Sequence, residues 1–129
     1  NLSMMFTEFE FCDRFEAAAS CGFKAVEFLW PYDVSIETMR QILKETKLKI
    51  ALFNTSGGDI KNGEWGHAAL PYAKDKAKED FLIALEYAKA LNCDKVHVMA
   101  GVVKKEEERE LYRKTLCENL KTYAPLFAN

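Results

Sequence analysis

The stretch AVEFLWPYDVSIETMRQILKETKLKIALF, residues 25–53, decides the fold. It opens on a short apolar run, Ala25–Leu29, and closes on another, Leu48–Phe53. Between them Ile36, Met39, Ile42 or Leu43, and Thr46 recur at helical spacing. Ser35 fits the N-cap, because its hydroxyl can accept from a free backbone N–H of the first turn. Glu37 adds a negative charge at the positive end of the helix dipole. Two near-continuously apolar strands around an amphipathic helix imply parallel pairing through a right-handed crossover.

The same alternation extends both ways. Leu2–Phe6 is a short apolar run and is predicted as a first strand. Phe11, Phe15, Ala18 and Gly22 fall at i, i+4, i+7 and i+11, one face of a helix, and Gly22 suits the position just past its end. After Phe53 a polar, glycine-bearing stretch runs from Asn54 to about Tyr72. Phe81, Leu85, Ala88 and Leu91 then form a third helical stripe, closed by Asn92, which tolerates a left-handed cap. Val96 and Val98 mark a fourth strand. The acidic run Glu106-Glu107-Glu108 opens a fourth helix at its favourable end, with the stripe Tyr112, Leu116, Leu120, Tyr123, Phe127.

The order is therefore βαβαβαβα, an α/β fold of four βα units with parallel strands and outer helices. No G-x-G-x-x-G follows the first strand and no Walker A lysine motif occurs, which removes the usual dinucleotide and P-loop signatures. Four units are half of a (β/α)8 TIM barrel, which typically needs about 250 residues. The 129 residues suit one domain, 1–129, read as that half-barrel. The chain starts at Asn1 and stops after Phe127-Ala128-Asn129, both near element boundaries, so a longer parent protein is expected.

Composition narrows the function. Hydrophobic residues make up 49% and charged residues 29%, enough for a packed core and against a disordered chain. The net charge of −2 argues against a nucleic-acid binder, which needs a basic face. No apolar run approaches the ~18–20 residues of a membrane span. Cys12, Cys21, Cys93 and Cys117 form no C-x-x-C pair and sit inside apolar patterns, so buried reduced thiols and a cytoplasmic location are expected.

Candidate chemistry lies at the C-terminal ends of the strands, where barrel active sites are built. The loop from Asn54 through Gly57-Gly58 to Trp65-Gly66-His67 exceeds the usual ~2–6 residues, and long loops of this kind are often functional. Trp65 suits a lid over a pocket better than free solvent. Glu27 and His97 lie mid-strand between residues that would face the helices, so both point inward. They read either as a hydrogen-bonded structural layer, partnering one another, or as pocket residues. Gly101 permits close backbone approach. His67 reads as an exposed loop residue. No Ser-His-Asp or Cys-His constellation and no G-x-S-x-G elbow is present.

Several of these stretches resemble hydroxypyruvate isomerases. They are Ser3-Met4-Met5-Phe6-Thr7-Glu8, Ala25–Asp33, Ala51-Leu52-Phe53-Asn54-Thr55, Gly58-Asp59-Ile60 with Gly63-Glu64-Trp65-Gly66, Ala69-Leu70-Pro71, and Leu91-Asn92-Cys93 with Val96–Val102. They occur in order and span nearly the whole chain. The wider relatives are the xylose-isomerase-like barrels, including sugar epimerases and apurinic endonucleases. The resemblance implies metal-assisted aldose–ketose isomerisation of hydroxypyruvate to tartronate semialdehyde through an enediolate. It also implies a divalent cation such as Mg or Mn in the intact barrel.

The family's two glutamates and its metal ligands come from later strands, so no catalytic residue and no metal ligand is assigned to this N-terminal half. The substrate-binding candidates are Phe6, Asn54, Trp65, His97 and Gly101, with Glu27 behind them orienting His97. The expected partner is a small hydroxy-keto acid, with either the missing C-terminal half-barrel or a second copy closing the sheet. The competing readings are a non-catalytic, self-associating half-barrel and a sugar epimerase or isomerase of the same superfamily.

Overall fold

A computed structural model describes residues 1–128. Its helices are α1 (Asp13–Ser20), α2 (Ile36–Thr46), α3 (Lys74–Leu91) and α4 (Arg109–Phe127). Its strands are β1 (Ala25–Glu27), β2 (Lys49–Asn54) and β3 (Val96–His97), all parallel, in the order β1-β2-β3. Val26 pairs with Ile50, and Glu27 with Leu52 after a register shift. Phe53 pairs with Val96 and Asn54 with His97.

The local signals explain the helix ends. Ser35 is extended and its Oγ accepts from the Thr38 N–H at 3.1 Å, the expected N-cap. Asn92 follows α3 with φ +53, and Gly22 follows α1 with φ +88. The acidic run at 106–108 forms a single 3-10 turn that leads into α4.

The first expected strand does not form. Residues 2–6 are a series of turns in which Met4 N–H and Met5 N–H both donate to the Asn1 carbonyl. Asn1 Oδ1 accepts from Ser3 N–H at 3.0 Å, and Ser3 Oγ accepts from Leu29 N–H at 2.9 Å. These short polar side chains offer the backbone local partners that compete with a ladder. One ladder-like bond remains, Leu2 N–H to the Glu27 carbonyl at 2.7 Å.

The chain groups into two compact units. The first comprises residues 1–54 and 86–97. Its core is aromatic: Phe15, Phe28 and Phe53 are fully buried, with Met39, Ile50 and Leu91. Phe28 meets Phe11, Phe15 and Phe53 at centroid distances of 5.5, 5.7 and 6.3 Å. Val26 and Phe28 are buried while Glu27 between them is half-buried, as period-two alternation requires. The second unit comprises residues 55–85 and 98–128. Ala69, Leu70, Ala73 and Tyr112 form its core cluster, and Phe81 stacks on Tyr123 at 4.7 Å.

The four cysteines are free, but only Cys93 is buried; Cys12 is half-buried and Cys21 and Cys117 are exposed. The expectation of buried thiols therefore holds for one of them. The apolar patterns around Cys21 and Cys117 do not turn those positions inward. Among the described residues no helix is long and apolar enough to cross a membrane.

Candidate functional site

In the first unit the ends of β2 and β3 bring Asn54 and His97 side by side. The Asn54 side chain is buried, and its Oδ1 faces His97 Nδ1 at 3.3 Å. An amide oxygen only accepts, so the ring donates from Nδ1 and a neutral ring keeps Nε2 as acceptor. Tyr32 Oη donates to the Asn54 main-chain carbonyl at 2.6 Å, and Asn54 N–H donates to the Leu29 carbonyl at 2.9 Å. Tyr32 meets Phe53 and Tyr87 edge-on, and Tyr87 Oη donates to the Val34 carbonyl. The strand end carrying Asn54 is thus braced from both sides.

Glu27 does not orient His97. Its Oε1 accepts from Asn1 Nδ2 at 3.1 Å, and β2 lies between β1 and β3. Two strand spacings of roughly 4.8 Å each exceed a direct hydrogen bond. Glu27 and Phe6 instead line a cavity of about 170 Å³ with Asn1, Leu2, Phe23 and Ala51. Phe6 is half-buried and adopts φ +60, unusual for a bulky residue.

In the second unit the long loop is tightly tied. Gly101 N–H donates to the Trp65 carbonyl at 2.9 Å, and Gly66 bridges Ala100 in antiparallel fashion. Gly66 N–H reaches the Gly57 carbonyl at 2.7 Å. Gly101 has φ +100, and a Cβ there would lie 2.8 Å from the Gly66 carbonyl oxygen and from Leu70. The close approach that its missing side chain allows is made by the chain's own backbone. Trp65 is 48% exposed and lines an open cleft of about 330 Å³ with Gly66, Tyr72, Val102 and Lys104.

His67 overturns the exposed-loop expectation. It is 4% exposed, with Nδ1 2.8 Å from Asp80 Oδ2 and Nε2 3.2 Å from Glu64 Oε2. Its decisive partner, Asp80, lies on α3, and nothing in the loop's own composition announces it. Glu64 Oε2 also accepts from Asp59 N–H at 2.7 Å. That backbone bond, then the His67 bond and the nearby positive groups, hold the Glu64 carboxyl below its ordinary value of 4.5. Burial pushes the Asp80 carboxyl up from 3.8, against the lowering effect of His67 and Ser56.

The signs differ. Glu64 contributes stability that is complete above its unfolded value and is lost as pH falls through the lower folded one. Asp80 works the other way, its ionisation costing stability as pH rises through its raised value. Acidification below 4.5 is therefore expected to loosen residues 57–66 through protonation of Glu64. Trp65 emission followed against pH in a Trp30→Phe background checks this, and Glu64→Gln should abolish the acid transition.

Among the described residues no group of three or more His, Cys, Asp and Glu side chains is arranged to hold a metal ion. The Glu64–His67–Asp80 group fails for a geometric reason. Its carboxylates sit on opposite ring nitrogens and do not converge on one point. The cation implied by the resemblance does not fit these residues.

Residues 15–129 match the family described as the xylose isomerase-like TIM barrel. The chain belongs to that family. Over 121 residues it is 50% identical to a 2-oxo-tetronate isomerase from Haemophilus influenzae, covering 94% of this chain and 47% of that protein. It is 40% identical over 121 residues to hydroxypyruvate isomerase from Escherichia coli, again covering 94% and 47%. A crystal structure of a family 2 AP endonuclease from Brucella melitensis superposes with a TM-score of 0.90 at 39% identity. That match covers 97% of this chain and 50% of the other. The chain spans about half the length of these relatives.

The relatives matched at this identity are themselves named as isomerases. The half-barrel reading of the sequence agrees with parallel strands, four helices and half coverage of a solved barrel.

Proposed function

We propose that this chain is the N-terminal half of an isomerase that moves a proton between adjacent carbons of a short, hydroxylated 2-oxo acid. Hydroxypyruvate, giving tartronate semialdehyde, is one such substrate, and 2-oxo-tetronate is its longer homologue. The reaction needs a base to remove a proton beside a carbonyl and an acid to return it to the neighbouring carbon. The enediolate between them needs its charge stabilised. The two glutamates and the cation (Mg or Mn) belong, in this reading, to the other half of the barrel.

The observation that carries the reading is the Asn54–His97 pair at the ends of two adjacent parallel strands, in a chain this similar to isomerases. The Asn54 side-chain amide N–H can donate to a substrate carboxylate, and His97 Nε2 can accept from a substrate hydroxyl. Trp65, at the open cleft that it lines in the second unit, is the candidate loop residue of this reading, while the space beside Gly101 is taken by the Gly66 carbonyl and Leu70. A phosphate-backbone substrate is disfavoured by the net charge of −2.

Turnover of hydroxypyruvate and 2-oxo-tetronate by the intact polypeptide, with Mg2+ or Mn2+, tests the proposal. Asn54→Ala is expected to lower kcat/KM by roughly 10–100-fold, the value of a hydrogen bond to a charged group. No turnover of either acid, or an unchanged Asn54→Ala enzyme, would sink it.

A further inference from the structure

We propose that His67 is the positioning residue of the loop that carries Trp65, fastening it to α3 by the bond between Nδ1 and Asp80 while Nε2 holds the loop's own Glu64. The role of Trp65 rests on the isomerase reading above; the fastening rests on geometry alone. His67 stands two residues from Trp65 in the chain, and both of its ring nitrogens are committed. Nδ1 faces Asp80 on α3, and Nε2 faces Glu64, which precedes Trp65. The ring therefore joins the loop to a helix that the loop's backbone bonds do not reach.

The surroundings are built for this contact. Glu64 Oε2 is shared between His67 and Asp59 N–H, and Glu64 Oε1 lies 3.6 Å from Lys76 Nζ. Ser56 adds a hydrogen bond to Asp80, with Glu79 the neighbouring charge. Gly58 covers the pair from the loop side with φ +73. A Cβ at Gly58 would overlap Glu64 Oε2 and would lie 2.9 Å from His67 Cε1 and Nε2. No side chain fits there without displacing the imidazole or the carboxylate. The other side of the loop is held by the backbone bonds of Gly66 and Gly101 and by Thr55 Oγ1, which accepts from Met99 N–H at 2.8 Å. Loss of the His67 bonds should free the 57–66 segment without melting α3.

Three substitutions separate the two bonds. His67→Asn keeps an amide near Nδ1 and so a bond to Asp80. His67→Gln places its amide near Nε2 and keeps the bond to Glu64. His67→Ala keeps neither. In the intact polypeptide, amide hydrogen exchange of residues 57–66 is expected to rise about tenfold or more in His67→Ala. The Asn and Gln variants should be intermediate, and residues 74–91 should stay within about twofold. Gly58→Ala, which attacks the same contact from the other side, should reproduce the effect. With the substrate acids, KM should rise about tenfold while kcat changes less than about twofold, the signature of lost positioning.

Unchanged exchange at 57–66 in His67→Ala, or an equal rise across 74–91, would overturn the proposal. So would an unchanged KM in His67→Ala where Trp65→Ala raises it. The isomerase reading fails by a different result, an absence of turnover in the unsubstituted protein, which leaves the exchange measurement to judge the fastening.

Discussion

Phe28→Ala is expected to cost about 3–5 kcal/mol of folding stability, the range for deleting a buried aromatic ring. Phe28 is 1% exposed and contacts three other rings. Its loss removes apolar surface from the first unit and leaves a void that Phe11, Phe15 and Phe53 cannot all move to fill. Ring–ring geometry adds about 0.5–1.5 kcal/mol per favourable pair beyond area. Against a typical total of about 5–15 kcal/mol, one such change brings a domain near its limit. The urea midpoint measures it directly. Phe28→Leu should recover part of the loss by restoring volume without the ring contacts. A cost below about 1 kcal/mol for Phe28→Ala would mean that this aromatic cluster does not organise the core.

Gly66→Ala should cost about 2–5 kcal/mol, from a left-handed backbone penalty of about 1–2 kcal/mol and a steric term of about 1–3 kcal/mol. Gly66 has φ +96, and a Cβ there would overlap the Met99 carbonyl oxygen and Cβ. The clash is with backbone, which cannot swing aside as a side chain can. Gly63→Ala is the matched control. Its φ is +82, yet nothing lies within 4 Å of an added Cβ, so only the conformational cost of about 1–2 kcal/mol remains. Thermal or urea unfolding of the pair separates the terms. Equal losses at the two positions would show that the Gly66–Ala100 approach is not maintained in solution. In the intact enzyme Gly66→Ala should also weaken substrate binding, since it displaces the adjacent Trp65.

The helices were legible because their information is local. Ser35, Glu37 and the Ile36–Met39 spacing lie within a turn or two of the bonds they direct, and the observed cap is the one they imply. Asn92 after α3 was legible for the same reason. The run Leu2–Phe6 was not, since a five-residue apolar stretch carries too little period to tell a strand from turns. Asn1 and Ser3 settled it through bonds that composition does not display. Trp65 and the long loop could be singled out, but not the way the loop is held.

The alternation of apolar periods was sufficient for the fold class and for the strand ends at which Asn54 and His97 sit. Those are properties of neighbours along the chain. Pairings across it were not accessible in the same way. Glu27 met Asn1 and not His97, because a second strand stands between them. His67 went from loop surface to buried anchor, because a helix thirteen residues on supplied Asp80. A side chain's partner depends on where distant backbone is brought, and a buried polar group takes whichever acceptor that packing leaves within reach.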